Sequence, residues 1–198
     1  MTSANFEKAL VALSNRKFFK NISISRGIER EALRSNLNGV ISKTPHPKSL
    51  GSALTNPFIT TDFAEALIEM VTPTFDTVEG LHSFLENLDF FVKENLNDEI
   101  LWNASMPCEL GDEKQIQIAE YGVSNTGRLK NIYRRGLRER YGSAMQCVSG
   151  IHYNFSLSKK SWQDFFNQNE SNQTEIDRAY FGLIRNVKRN YWLIAYLF

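Results

Sequence analysis

The sequence is poor in several of the features that most readily assign a function. It has two cysteines in 198 residues, Cys108 and Cys147. That excludes a disulfide-stapled scaffold and fits a reducing cytosol. Net charge is +1, so no global field would draw the chain to nucleic acid or to a membrane surface. Its longest apolar run, "YWLIAYLF" from Tyr191 to Phe198, is far too short to span a bilayer. No basic stretch followed by an apolar segment opens the chain, so no signal peptide is expected. "SNTGR", with its single glycine, is no phosphate-binding loop.

What is present is ordinary globular material, 42% hydrophobic and 23% charged, enough for one sizeable core. Phe6, Leu10, Val11 and Leu13 suggest a short amphipathic helix over Asn5–Leu13. "KTPHPKSLGS" (Lys43–Ser52) is a loop. Asp76 and Glu79 form a capping-box signature ahead of a helix carrying Val78, Leu81, Leu85, Leu88, Val92 and Leu96. "QIQIAE" (Gln115–Glu120) alternates as a strand does. A second helix follows, with Leu129, Ile132, Tyr133 and Leu137 on one face. Met145–Leu157 reads as a long strand, its odd positions mostly apolar and its even positions, including Gln146, His152, Asn154 and Ser156, polar. One face should meet a core and the other water or a ligand. A last helix carries Ile176, Tyr180, Leu183, Ile184 and Val187. The closing apolar run predicts either an element tucked into the core or a chain that stops in mid-domain, and the second is preferred. No repeat or linker demands a domain boundary.

The chemistry-bearing residues are acids. "RGIERE" places Glu29 and Glu31 two apart between arginines; on a strand they would share a face, on a helix they would not. "TTDFAEALIEM" adds Asp62, Glu65 and Glu69, and His152 lies on the polar face of the long strand. Oxygen-rich clusters with one imidazole suit Mg²⁺ or Mn²⁺, and carboxylates sharing a cleft need a cation to relieve their repulsion. By propensity, however, "IEREALR" and "DFAEALIEM" both read as helix, the latter with Thr61 as its N-cap. Asp62 and Glu69 would then stand about 10 Å apart; on one plain strand they would face opposite ways unless a bulge intervened. A basic helix (Arg128, Lys130, Arg134, Arg135, Arg138, Arg140) could grip a polyanion or simply face solvent.

Five stretches in order, "RGIEREALR", "TPHPKSLGSALTNPFITTDFAEALIEMVTP", "SMPC", "YGVSNTGRLKNIYRRGLRERYG" and "MQCVSGIHYNFSLS", resemble the N-terminal part of the proteobacterial glutamate–cysteine ligase family. The resemblance runs from about Arg26 to Phe198. It implies an α+β, glutamine-synthetase-like fold, an antiparallel sheet curved into a cleft flanked by helices, with residues 1–198 forming part of one catalytic domain. It also implies "GIERE" as a strand, against its propensity. The activity implied is ATP-dependent joining of the γ-carboxylate of L-glutamate to the amine of L-cysteine, the first step of glutathione biosynthesis. ATP and Mg²⁺ (or Mn²⁺) would be required. Metal positions map onto Glu29, Glu31, Asp62, Glu69 and His152. The cysteine pocket maps onto Phe63, Tyr133, Arg134 and Leu137, and a glutamate or nucleotide contact onto Gln146 and Asn154. Expected partners are the small-molecule substrates, with no nucleic acid and no membrane. Family members are longer, and their later segment supplies a further metal-binding acid, so this stretch alone is expected to be inactive. The alternatives are a short, non-catalytic relative that binds a ligand or partner and a basic-helix nucleic-acid module.

Overall fold

A computed structural model describes residues 22–166 and 172–197, together with Glu7, Val11 and Ser14. Of the helix expected over Asn5–Leu13, Glu7 and Val11 are helical; the other positions lie outside the described residues. The chain divides into two compact units, Arg26–Phe155 and Met1–Ser25 with Ser156–Phe198.

The larger unit is organised by one long strand, β1 (Ile24–Asn36). Its polar and charged side chains alternate with its neighbours, and helix propensity loses because both edges find partners. On one edge β3 (Leu67–Val71) pairs antiparallel, setting Glu29 opposite Val71, Glu31 opposite Glu69 and Leu33 opposite Leu67. On the other edge β4 (Glu99–Trp102) takes Leu33–Asn36 and β5 (Ile151–Leu157) takes the earlier part of the strand. β2 (Ile59–Thr61) completes the sheet in the order β2-β3-β1-β4, pairing Thr60 with Glu69. The expected helix over "DFAEALIEM" is therefore a hairpin. Its two arms each have a strand partner to satisfy their backbone groups, which outweighs propensity.

Alternation along β1 separates two faces. Ala32, with Ile68 and Met70, packs on Leu88 and Val92 of helix α1 (Val78–Glu94). Burial contributes about 1.5–3 kcal/mol for each of Ile68, Met70, Leu88 and Val92, and less for Ala32. The α1 cap is Thr77, whose hydroxyl accepts the Gly80 N–H; the cap is not Asp76 as expected, and with glycine three residues on no capping box is formed. Arg30 and Arg34 leave β1 on the α1 side. Arg30 pairs with Asp89, and Arg34 is fully buried with Glu99 at 2.8 Å. The opposite face carries Glu29 and Glu31, then Leu33 in a second core with Phe63, Leu67, Cys108, Ile116 and Cys147.

Of two strands expected from alternation, Gln115–Glu120 forms none and Met145–Leu157 is shorter than the pattern. Glu113–Gln115 is a 3₁₀ turn. The following residues bond to the hairpin tip through a single bridge between Ala64 and Ile118 and two flanking bonds, too little for a ladder. Met145–Cys147 is likewise a 3₁₀ turn, so the last strand begins at Ile151. Its apolar face is not on a core: Ile151, Tyr153 and Phe155 are exposed. Helix α2 (Asn125–Tyr141) forms as expected, yet Leu129, Ile132 and Tyr133 are exposed and only Leu137 packs inward.

In the smaller unit, helix α3 (Lys159–Phe166) buries Trp162, which meets the ring of Tyr180 edge-on at 4.9 Å. Helix α4 (Gln173–Leu197) carries Tyr180 and includes Tyr191–Leu197. Trp192, Tyr196 and Leu197 are exposed there rather than tucked into a core. No described helix is long and apolar enough to cross a membrane.

Candidate active site

The uncovered end of the β1–β3 face carries the acids. Glu29 and Glu31 lie on it by the period of the strand, and Glu69 joins them as the direct partner of Glu31. Asp62 reaches the same face from the other arm of the hairpin. Its N–H donates to the Leu67 carbonyl, one step beyond the Thr61–Ile68 pair. It is thus two residues past Thr60, the partner of Glu69. The parity problem of Asp62 and Glu69 on one strand disappears without a bulge, because the chain turns between them. Glu65, in the turn, is directed elsewhere: buried, it accepts the His46 and Glu120 N–H groups and holds neighbouring loops in place.

Strand β5 supplies the counterparts. Glu31 accepts the Gly150 N–H at 2.8 Å through one oxygen and faces His152 Nε2 at 3.3 Å through the other. His152 Nδ1 stands 4.0 Å from Glu29, and the Asn154 amide donates to Glu29 at 2.8 Å. His152 and Asn154 therefore occupy the polar face expected of them. Gln146 does not share it, since it sits in the 3₁₀ turn before the strand.

The electrostatics record a surplus of negative charge. Burial pushes the Glu69 carboxyl above the usual range, and the charges of Asp62, Glu29 and Glu31 add to that, with Arg134 opposing. Burial likewise raises Glu31, against the Gly150 N–H and His152, with Asp62 adding to the rise. Among the described residues no group of three acid, histidine or cysteine side chains is gathered as a metal cage. The donor set nevertheless fits a hard divalent cation. It is oxygen-rich, partly desolvated, and made of like charges whose repulsion a cation would relieve.

The residues matched to a cysteine pocket divide. Phe63 is buried in the core against which Leu137 packs. Arg134 donates through Nε to the Asp62 carbonyl and so lies beside the acids. Tyr133 is exposed on α2. Sequence reasoning missed Tyr121, which is buried, donates to the Thr61 carbonyl at 2.6 Å and stacks under Arg134. It also missed the Gly150 N–H and the buried Arg34. A tyrosine in an irregular segment shows no periodicity, and a backbone donor leaves no trace in side-chain pattern.

The glutamate–cysteine ligase family profile matches residues 8–198. Glutamate–cysteine ligase from Saccharophagus degradans is 50% identical over 179 residues, covering 88% of this chain and 34% of the relative. The Bordetella petrii enzyme of that name is 53% identical over 173 residues, covering 87% and 33%. A crystal structure of glutamate–cysteine ligase from Francisella tularensis in complex with AMP superposes with a TM-score of 0.80 at 41% identity, over 87% of this chain and 34% of that one. A bifunctional glutathione synthetase from Pasteurella multocida gives 0.78 at 31% identity, over 98% and 25%. The chain spans about a third of the length of the curated relatives it matches.

Proposed function

Because the chain belongs to the glutamate–cysteine ligase family, we propose that it carries the acid wall of an ATP-dependent ligase site. The reaction joins the γ-carboxylate of L-glutamate to the amine of L-cysteine in the first step of glutathione formation. The observation that carries this reading is the convergence of Glu29, Glu31, Glu69 and Asp62 on one face of an antiparallel sheet. There Glu69 is held hungry for positive charge by burial and by its neighbours.

A carboxylate oxygen leaves too poorly for an amine to displace it. In the proposed reaction the γ-carboxylate of glutamate attacks the γ-phosphorus of ATP, and the bond to the β-phosphate oxygen breaks, releasing ADP. The cysteine amine then attacks the acyl carbon, loses a proton, and inorganic phosphate departs. Glu29, Glu31, Asp62, Glu69 and His152 would hold Mg²⁺ or Mn²⁺, which when bound supplies charge neutralisation between the two anionic reactants. His152, between Glu29 and Glu31, keeps both carboxylates turned to one space. Asn154 orients Glu29 and, with Gln146, would meet glutamate or nucleotide. Phe63, buried in the core, and Leu137, packed against it, would back the apolar side of a cysteine site beside Arg134, whose guanidinium is suited to a small carboxylate such as that of cysteine; Tyr133 would close over it. The small-molecule substrates, rather than a polymer, are the partners this acid face suits, and a reducing cytosol suits their thiol.

The test is a chimera in which residues 22–197 replace the matching third of the Francisella tularensis enzyme. Formation of γ-glutamylcysteine with stoichiometric phosphate release, at about 1 s⁻¹ or above, is expected. Glu29→Gln and Glu69→Gln chimeras should fold and lose at least about 100-fold in kcat. A folded chimera indifferent to both substitutions would overturn the proposal.

A further inference from the structure

The expected metal acids account for the face but not for what holds Asp62 on it. Asp62 stands just past the end of β2, in a hairpin tip whose own closing bonds are the Asp62 N–H to Leu67 and the Leu67 N–H back to Ala64; Arg34 reaches only the far side of the tip, at the Ala66 and Glu65 carbonyls. A site that must hold its groups within about half an ångström needs more support than that. The support comes from a segment with no regular structure. The Gln117 carbonyl accepts the Glu65 N–H and the Ala119 N–H donates to Phe63, so residues 117–119 run along the tip. The segment then ends at Tyr121.

Tyr121 is buried, and its hydroxyl lies 2.6 Å from the Thr61 carbonyl and 3.2 Å from that of Asp62. Its ring lies 4.8 Å below the Arg134 guanidinium and 4.9 Å from Lys130 Nζ. Arg134 in turn donates to the Asp62 carbonyl and, at 3.1 Å, to the Lys130 carbonyl. The backbone of Tyr121 is fixed independently. Gly127, in the first turn of α2, sits so close that a Cβ there would fall 2.4 Å from the Tyr121 carbonyl oxygen and 2.9 Å from its carbon. Burial pushes the phenol's proton affinity up, so it remains a donor through the neutral range.

We infer that Tyr121 is a positioning residue: seated on Gly127, it locks the Asp62 end of the β2–β3 hairpin to Arg134 of α2, making the acid face and the α2 wall one rigid unit. Its bearing on catalysis rests on the cation-site reading above; the lock itself does not. We assign the hydroxyl and the ring no contact with substrate. Their effect is transmitted through two main-chain carbonyls and one guanidinium.

Hydrogen exchange on the purified chain, read by mass spectrometry and paired with Mn²⁺ titration by electron paramagnetic resonance, tests this. In Tyr121→Phe, which keeps the ring, amides of residues 59–67 should exchange at least about tenfold faster while α1 stays at the wild-type rate. Mn²⁺ affinity should fall about tenfold, as expected when an outer partner of a metal site is lost. Tyr121→Leu, which also frees Arg134, should weaken Mn²⁺ further. Gly127→Ala should reproduce the hairpin effect with Tyr121 intact. Wild-type exchange over 59–67 in Tyr121→Phe would overturn the inference, as would equal acceleration of every segment, which marks a mere core filler. If the hairpin responds but the wild-type chain binds no Mn²⁺, the lock stands and the cation-site reading falls.

Discussion

Glu31 and Glu69 are directly opposed across the β1–β3 ladder, a placement in which like charges destabilise a sheet. A fold under selection for stability alone would put a cation or a hydroxyl at one of the two positions. Both acids are instead retained where burial works against their ionisation, with the Asp62 charge adding to it at both and those of Glu29 and Glu31 at Glu69.

The first prediction follows from the sign of that effect. The Glu69 carboxyl is raised in the folded state, so its contribution favours folding below the ordinary carboxylate range and is lost as pH rises through the raised value. At neutral pH the ionised group is therefore a net cost. Glu69→Gln should raise thermal stability at pH 7, by up to about 1 kcal/mol, and the gain should shrink toward zero near about pH 4. A melting series across pH reads this directly. Destabilisation at pH 7 would show that the charge is already compensated.

A second prediction concerns the opposite face. Arg34 is fully buried, 2.8 Å from Glu99, and also bonded to the Thr44 hydroxyl and carbonyl. Burial opposes ionisation of Glu99, but the hydroxyls of Ser42 and Thr44 and the Arg34 charge outweigh it and hold the carboxyl below the usual range. The pair's stabilisation is thus present above the ordinary carboxylate value and lost as pH falls through the depressed one. Glu99→Gln should cost about 3–5 kcal/mol in urea unfolding at pH 7, because it strands a buried charge. Arg34→Met combined with Glu99→Leu should recover most of that loss.

The third prediction is chemical. Burial pushes the Cys147 thiol up to about 12, with Cys108 close enough to add to it, and Cys108 is itself raised by burial. The thiolate is the reactive form. Neither residue should be alkylated by iodoacetamide at pH 8 in the folded chain, and both should react together once urea unfolds it. Selective native labelling of Cys147 would contradict the core placement.

These residues also show what the sequence made legible. Alternation in "RGIERE" was readable as two faces, but propensity alone favoured helix. Only the presence of β3, β4 and β5 at the edges of β1 makes it a strand, and those partners lie far away in sequence. The turn in "DFAEALIE" has no glycine, proline or asparagine to announce it, so the hairpin that brings Asp62 beside Glu69 was hidden in a helix-like run. The alternation from Met145 to Ile151 persisted through a 3₁₀ turn, which carried Gln146 onto a face it does not share. The family motifs located the acids; the pairing register explains how they meet. Tyr121 was invisible to both, because its role lies in main-chain carbonyls and a close approach to Gly127.

The central claim is that the face bearing Glu29, Glu31, Asp62 and Glu69 is a divalent-cation site. Its most direct test is Mn²⁺ titration of the purified chain by electron paramagnetic resonance, repeated with Glu29→Gln, Glu69→Gln and, as a control on a distant acid, Glu86→Gln. The account predicts saturable binding that Mg²⁺ displaces, weakened at least about tenfold by each of the first two substitutions and unchanged by the third. Binding that is absent in the folded wild-type chain, or equally insensitive to all three changes, would contradict it.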